Sequence, residues 1–165
     1  MNQDSILDYL EEEDKEELEN KYLTFWTIDQ LFGVPIKHIV QIIEYQPITS
    51  IPDYPNYAKG VINLRGSIIP IIDIRARFGK GETQYNDRTC IVVTRLDKTY
   101  MGFIVDSVHE VLDLKKDEIT DPPFISQGVD RFFLSGVGKQ GDKVILILNV
   151  DKLFKSEDME LMLQK

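Results

Sequence analysis

This sequence of 165 residues has one cysteine, two histidines and one tryptophan, and each scarcity removes a class of chemistry. Cys90 alone permits no internal disulfide, and its place in the apolar stretch Thr89 to Thr94 suits a small buried hydrophobe rather than a nucleophile. His38 and His109 lie far apart, with no cysteine or carboxylate at ligand spacing, whereas a zinc site needs three or four ligands. No glycine-rich loop leads into a helix to cradle a phosphate, and Arg65-Gly66-Ser67 is not a nucleophile elbow. Asp73, Asp106 and Glu110 stand near strand ends, where capping or hydrogen bonding accounts for them. No cofactor, metal or catalytic set is therefore expected. No apolar run approaches the ~20 residues of a membrane span. The acidic N-terminus is also unlike a secretory signal or a basic transit peptide, so a cytoplasmic chain with no membrane insertion is expected.

Positive charge is scarce as well, but only locally. The formal net charge is -9. Residues 1–20 hold nine acids against Lys15, a net of -8, which leaves about -1 for all the rest. A nearly neutral body behind a polyanionic extension has no basic stripe to displace counterions, and nucleic acid is excluded as a partner. Within the extension Ile6, Leu7 and Leu10 have helical spacing, with a solubilising disordered segment as the alternative.

The body reads as strands. Gly60-Val61-Ile62-Asn63-Leu64 and Ile68 to Ile72 are two aliphatic runs joined by Arg65-Gly66-Ser67, the pattern of a hairpin, with Pro70 expected at an edge or a bulge. Leu23, Phe25 and Thr27 alternate with Thr24, Trp26 and Ile28, and Phe32 to Ile36 completes a first hairpin. Ile39 to Tyr45 is a further strand. Ile74 to Phe78 reads as one helical turn or a strand end. The polar stretch from Gly79 to Asp87 suggests a subdomain boundary near 79–88. Beyond it Thr89 to Thr94, Tyr100 to Val105, Val108 to Leu114, Phe132 to Val137 and Val144 to Leu148 read as strands. Val150, Leu153 and Phe154, continued by Met159, Met162 and Leu163, predict a C-terminal helix.

The two halves repeat each other. Phe32-Gly33-Val34 aligns with Met101-Gly102-Phe103, Ile39 with Val108, Gln41 with Glu110 and Ile42 with Val111. Gly60-Val61 aligns with Gly136-Val137, Gly66 lies near its counterpart Gly141, and Asp73 and Asn149 each precede a phenylalanine by five positions. Two copies of about five strands each predict two small barrels, since closing a sheet removes its edges, with a groove between them.

Gly60-Val61-Ile62-Asn63-Leu64-Arg65-Gly66, followed by Pro70-Ile71-Ile72-Asp73-Ile74-Arg75, closely resembles the signature of the CheW family of bacterial chemotaxis adaptors. The resemblance extends to Phe32 to Ile36, Val40-Gln41-Ile42, Met101 to Asp106 and Leu148 to Phe154, and spans residues 21–163. It implies a mainly β fold of two intertwined five-stranded SH3-like barrels with a C-terminal helix, behind an acidic N-terminal extension at 1–20. It also implies a non-catalytic adaptor that couples chemoreceptors to the histidine kinase CheA, at receptor arrays on the inner face of the membrane. The implied partners are the cytoplasmic tip of the receptor and the regulatory domain of CheA.

By position, Ile39, Gln41, Ile42, Val61, Leu64 and Arg65 would line a receptor groove from one subdomain, and Phe103 and Val105 from the other. For each aliphatic member, barrel core is the alternative. The kinase-contacting residues are not assigned. The resemblance implies Glu where this chain has Gln41, so the ion pair with Arg65 is reduced to a neutral hydrogen bond; either Arg65 is freer to meet a carboxylate of a partner, or Glu44 substitutes, although three residues along a strand put it on the other face. The alternative functions are a CheW-like adaptor of another receptor–kinase pathway, such as surface motility, and a small-ligand-binding β module or enzyme.

Overall fold

The structure, a computed structural model, describes residues 18–122, 125–126 and 129–154. The expected helix at Ile6, Leu7 and Leu10 and the continuation of the last helix through Met159, Met162 and Leu163 lie outside them. The strands are β1 (Lys21–Thr27), β2 (Gln30–Pro35), β3 (Ile39–Glu44), β4 (Ala58–Leu64), β5 (Ser67–Asp73), β6 (Cys90–Leu96), β7 (Thr99–Val105), β8 (Ser107–Asp113), β9 (Ile119–Thr120), β10 (Ile125–Ser126), β11 (Val129–Asp130), β12 (Leu134–Gln140) and β13 (Lys143–Leu148). Two short helices interrupt them, α1 (Ile74–Arg77), the single turn expected there, and α2 (Val150–Phe154). Phe132, expected to begin a strand, instead lies in a 3-10 turn, Arg131–Phe133, capped by Asp130, whose Oδ1 accepts the Phe132 N–H.

Two sheets carry the fold, a five-stranded one in the order β3-β6-β7-β5-β4 and a six-stranded one in the order β8-β1-β2-β13-β12-β9. Each closes on itself in the same way. The chain beyond β3 returns at Thr49 to bridge Val61 of β4, and the chain beyond β8 returns as β9 to pair with β12. Strand β9 is thus the closing end of a five-stranded barrel rather than an extra layer.

The duplication is real but the copies are exchanged. β1, β2 and β3 correspond to β6, β7 and β8, and β4–β5 to β12–β13. The first two strands of each copy lie in the sheet that holds the hairpin of the other. The two parallel contacts mark the exchange: β13 runs beside β2 with Ile147 opposite Gly33, and β5 beside β7 with Ile71 opposite Gly102. The crossings between sheets fall at Ile36–His38 and at Asp106. Residues 79–88, expected to be a boundary, connect β5 and α1 to β6 within one barrel. That connection is pinned. Asp73 Oδ2 accepts the Thr83 N–H at 2.8 Å, and Asp73 Oδ1 accepts both the Thr83 hydroxyl at 2.7 Å and the Arg75 N–H at 3.0 Å. Farther along, Tyr85 stacks on Tyr45 with ring centroids 4.2 Å apart, and burial is the main reason its phenol is pushed up to about 12.

Three apolar cores follow from strand alternation. Ile62, Ile69, Ile71, Ile91, Val93 and Ile104 fill the five-stranded barrel, and Leu31, Leu112, Leu114, Ile145 and Ile147 fill the other. The largest core lies between the barrels and is built from the opposite faces of the same strands, among them Phe25, Phe32, Ile72, Val92, Phe103 and Val105, closed by Leu153 and Phe154 of α2. Central strands are therefore buried on both faces, which explains their unbroken aliphatic runs.

Pro70 sits in an interior strand, not at the expected edge or bulge. It faces Val61, whose N–H and C=O are both spent on Thr49, so this is a pair with no hydrogen bonds between β4 and β5. On its other side β5 meets β7 only from Ile71 onward. No ladder donor is lost at Pro70.

Candidate functional site

The β4–β5 hairpin turns on two residues, Arg65 and Gly66, with Leu64 opposite Ser67. Both central residues have positive φ, 53° and 87°, the pattern of a type I′ turn that matches the twist of the strands. Asn63 Oδ1 accepts the Gly66 N–H at 2.9 Å and fixes the turn from within. Glycine accepts this conformation freely, whereas an arginine is held there at a cost of roughly 1–2 kcal/mol. Arg65 is exposed, and among the described residues it makes no side-chain hydrogen bond or ion pair.

Beside it stands Ile68, 63% exposed, on the outward face of β5 opposite Asn63. Sequence reasoning passed over Ile68, because the run Ile68 to Ile72 reads as uniformly apolar. The signal was its parity: Ile69 and Ile71 face the barrel interior, so Ile68 must face outward. Val61 and Leu64 are half-buried, Leu64 against the barrel core. The hairpin thus presents a cation and an aliphatic side chain together at its tip.

The other expected groove residues are placed differently. Ile39, Ile42, Phe103 and Val105 are all buried in the core between the barrels, where the Phe103 ring lies 5.5 Å from that of Phe25 and 6.3 Å from that of Phe154. At these positions the space between the barrels is filled by their own side chains, so Ile39, Ile42, Phe103 and Val105 hold the barrels together.

Gln41, half-buried on β3 opposite Val93, makes no side-chain hydrogen bond to Arg65. The expected neutral pairing is absent among the described residues. Its counterpart Glu110 shows what a carboxylate does at that place in the other barrel. Lys143, next to the Gly141-Asp142 turn, donates to Glu110 Oε1 at 2.8 Å, and His109 Nε2 lies 3.4 Å from the same oxygen. The hydrogen bond from Lys143 holds the Glu110 carboxyl below the usual carboxylate range.

Among the described residues no group of three or more His, Cys, Asp or Glu is placed to hold a metal ion, and no helix is long and apolar enough to cross a membrane. The Cys90 thiol is pushed up, chiefly by burial, away from the thiolate a nucleophile needs. Two strand-exchanged barrels, one with an exposed cation and an exposed aliphatic side chain at a hairpin tip, define a double-barrel β module.

Comparison with known proteins gives that module its family. Residues 21–158 match the model of the CheW-like domain. The chain is 32% identical over 141 residues to the chemotaxis protein CheW of Klebsiella aerogenes, covering 86% of this chain and 85% of that protein. It is 32% identical over 146 residues to the chemotaxis protein CheW of Helicobacter pylori, covering 88% and 87%. Protein FrzA of Myxococcus xanthus is 25% identical over 139 residues. Among solved structures, the scaffolding protein TtCheW from Thermoanaerobacter tengcongensis matches with a TM-score of 0.78 at 34% identity, over 84% of this chain and 90% of that one. The chain belongs to the CheW-like family, the non-catalytic adaptors of chemotaxis signalling.

Proposed function

We propose that this protein couples bacterial chemoreceptors to the histidine kinase CheA, binding the cytoplasmic tip of the receptor and the regulatory domain of the kinase at receptor arrays on the inner face of the membrane. The observation that carries the receptor contact is Arg65, an exposed cation, unpaired among the described residues, held on a positive-φ turn beside the exposed Ile68. A turn that keeps a strained arginine where glycine or asparagine would fit better fits a side chain retained for a partner. Val61, Leu64 and Gln41 are the half-buried members of the proposed surface, and Arg65 meets a receptor carboxylate or backbone carbonyl.

The test is co-sedimentation of the purified chain with the CheA and receptor signalling fragments of its own organism, with kinase activity read alongside. Wild type joins a three-way complex that controls the kinase. Losing a charge-assisted hydrogen bond costs about 1.5–3 kcal/mol, so Arg65→Ala binds roughly ten- to a hundredfold more weakly while its thermal unfolding is unchanged. Wild type that joins neither partner, or a variant that joins both as well as wild type, overturns the reading. The similarity to Protein FrzA supports a second one, an adaptor of a sister receptor–kinase pathway. Running the same assay with each receptor–kinase set of the organism separates the two.

A further inference from the structure

The β1–β2 hairpin turns on Ile28 and Asp29, with Thr27 opposite Gln30, and both central residues have positive φ, 47° and 57°. This is again the type I′ pattern, which glycine, asparagine and aspartate accept. Asp29 suits it. Ile28 does not, because a β-branched side chain at positive φ crowds the following carbonyl and is an outlier. The other copy of the repeat shows the ordinary choice. Its turn between β6 and β7 has Asp97 at the place of Ile28, with φ 55°.

Thr27, just before the turn, carries a second cost. It is fully buried, on the face of β1 that sends Leu23 and Phe25 into the core between the barrels, and its Oγ1 has no hydrogen-bond partner among the described residues. Thr24, Thr83, Thr89 and Thr94 are buried as well, and each of their hydroxyls is bonded. In the other copy the place of Thr27 belongs to Leu96, which packs against the same core with no hydroxyl to satisfy. A buried unpaired hydroxyl and a strained neighbour thus stand side by side at a tip whose counterpart avoids both.

Apolar contact is what opposes these costs, since Ile28 is half-buried against the core between the barrels. The flanks of the turn are anchored. Gln30 Nε2 donates to Val144 O at 3.2 Å, which ties one flank to β13, and on the other the Asp106 N–H donates to Trp26 O at 3.0 Å, at one of the two crossings between sheets.

We infer that the β1–β2 tip is a two-position latch on the core between the barrels. In the closed position, the one in the structure, Ile28 plugs that core. In the open position Ile28 leaves it, the backbone at residue 28 relaxes to negative φ, and the Thr27 hydroxyl meets water. Burial of the Ile28 side chain favours the first position, and the Ile28 backbone and the Thr27 hydroxyl favour the second. Opening uncovers an apolar socket beside the crossing at Asp106, so the latch sets how tightly the shared core is closed there.

Two substitutions pull the latch in opposite directions. Thr27→Val keeps the shape of the side chain, removes the unpaired hydroxyl and favours the closed position. Ile28→Ala removes most of the plug and favours the open one. Native-state hydrogen exchange of the full chain, followed by NMR in urea below the unfolding transition, reads the opening at the amides of Thr27 and Gln30, the closing pair of the turn. The reference is Val92 and Phe103, which face each other on β6 and β7. The tip is expected to open by a local fluctuation that urea does not change, about tenfold less often in Thr27→Val and about tenfold more often in Ile28→Ala. The amides of Val92 and Phe103 are expected to exchange only through unfolding that urea promotes. Tip amides with the urea dependence of Val92, a tip without protection in all three proteins, or two variants that shift its opening in the same direction or not at all overturns the inference.

Discussion

At residue scale, Arg65 and Ile39 show how similar sequence signals separate in space. Arg65 is held at φ 53° on an exposed turn, so its backbone works against stability. Arg65→Asn, a residue that tolerates this region, is expected to raise stability by about 0.5–1 kcal/mol while weakening receptor binding as Arg65→Ala does. Urea denaturation beside the co-sedimentation assay checks both halves; a variant that gains stability and keeps its partner removes Arg65 from the interface. Ile39 is 7% exposed within the core between the barrels. Ile39→Asp places a carboxylate there without a partner and is expected to cost roughly 3–5 kcal/mol of folding stability. Loss of receptor binding in that variant follows from unfolding, and a folded Ile39→Asp protein with a wild-type urea midpoint contradicts the placement.

At the scale of elements, barrel closure rests on one backbone contact. Thr49 exchanges two hydrogen bonds of 2.9 Å with Val61, next to an irregularity in β4 between Ala58 and Gly60. Gly60 has φ 138°, and a Cβ there would lie 1.9 Å from Thr49 O. The obstacle is backbone, not the end of a flexible side chain. Gly60→Ala is expected to cost about 4 kcal/mol or more, read as a fall in the urea midpoint, and a loss below about 1 kcal/mol means that the barrel does not close at this point. The hairpins and the repeat were legible because each has a local cause: the Arg65-Gly66 turn, and the matched glycines Gly33 and Gly102 at the two parallel crossings. The facing of individual aliphatics was not. Phe103 and Ile104 are neighbours that enter different cores, as are Ile71 and Ile72. A strand buried on both faces loses the period-two contrast by which a surface residue is recognised. The same loss of contrast hid the exposed Ile68 within the run Ile68 to Ile72.

At the scale of the molecule, the repeat is visible in the sequence but the exchange is not, because a strand's sequence states which faces are apolar and leaves its neighbour unnamed. β1 and β2 need β8 and β13 from the second half of the chain, and β3 and β5 need β6 and β7. Each barrel is therefore completed only by both copies, and the core between them is shared by all. We expect residues 1–80 and 81–165, produced separately, to show no cooperative urea transition, since each fragment leaves strand edges and the faces of the inter-barrel core open. Mixed in equal amounts, the fragments are expected to recover the native circular dichroism spectrum and a single transition, because the connection at 79–88 carries no strand and lies within one barrel. A cooperative transition in either fragment alone would restore a linear division at that segment, and it would mean that the exchanged strands are dispensable to the barrel that receives them.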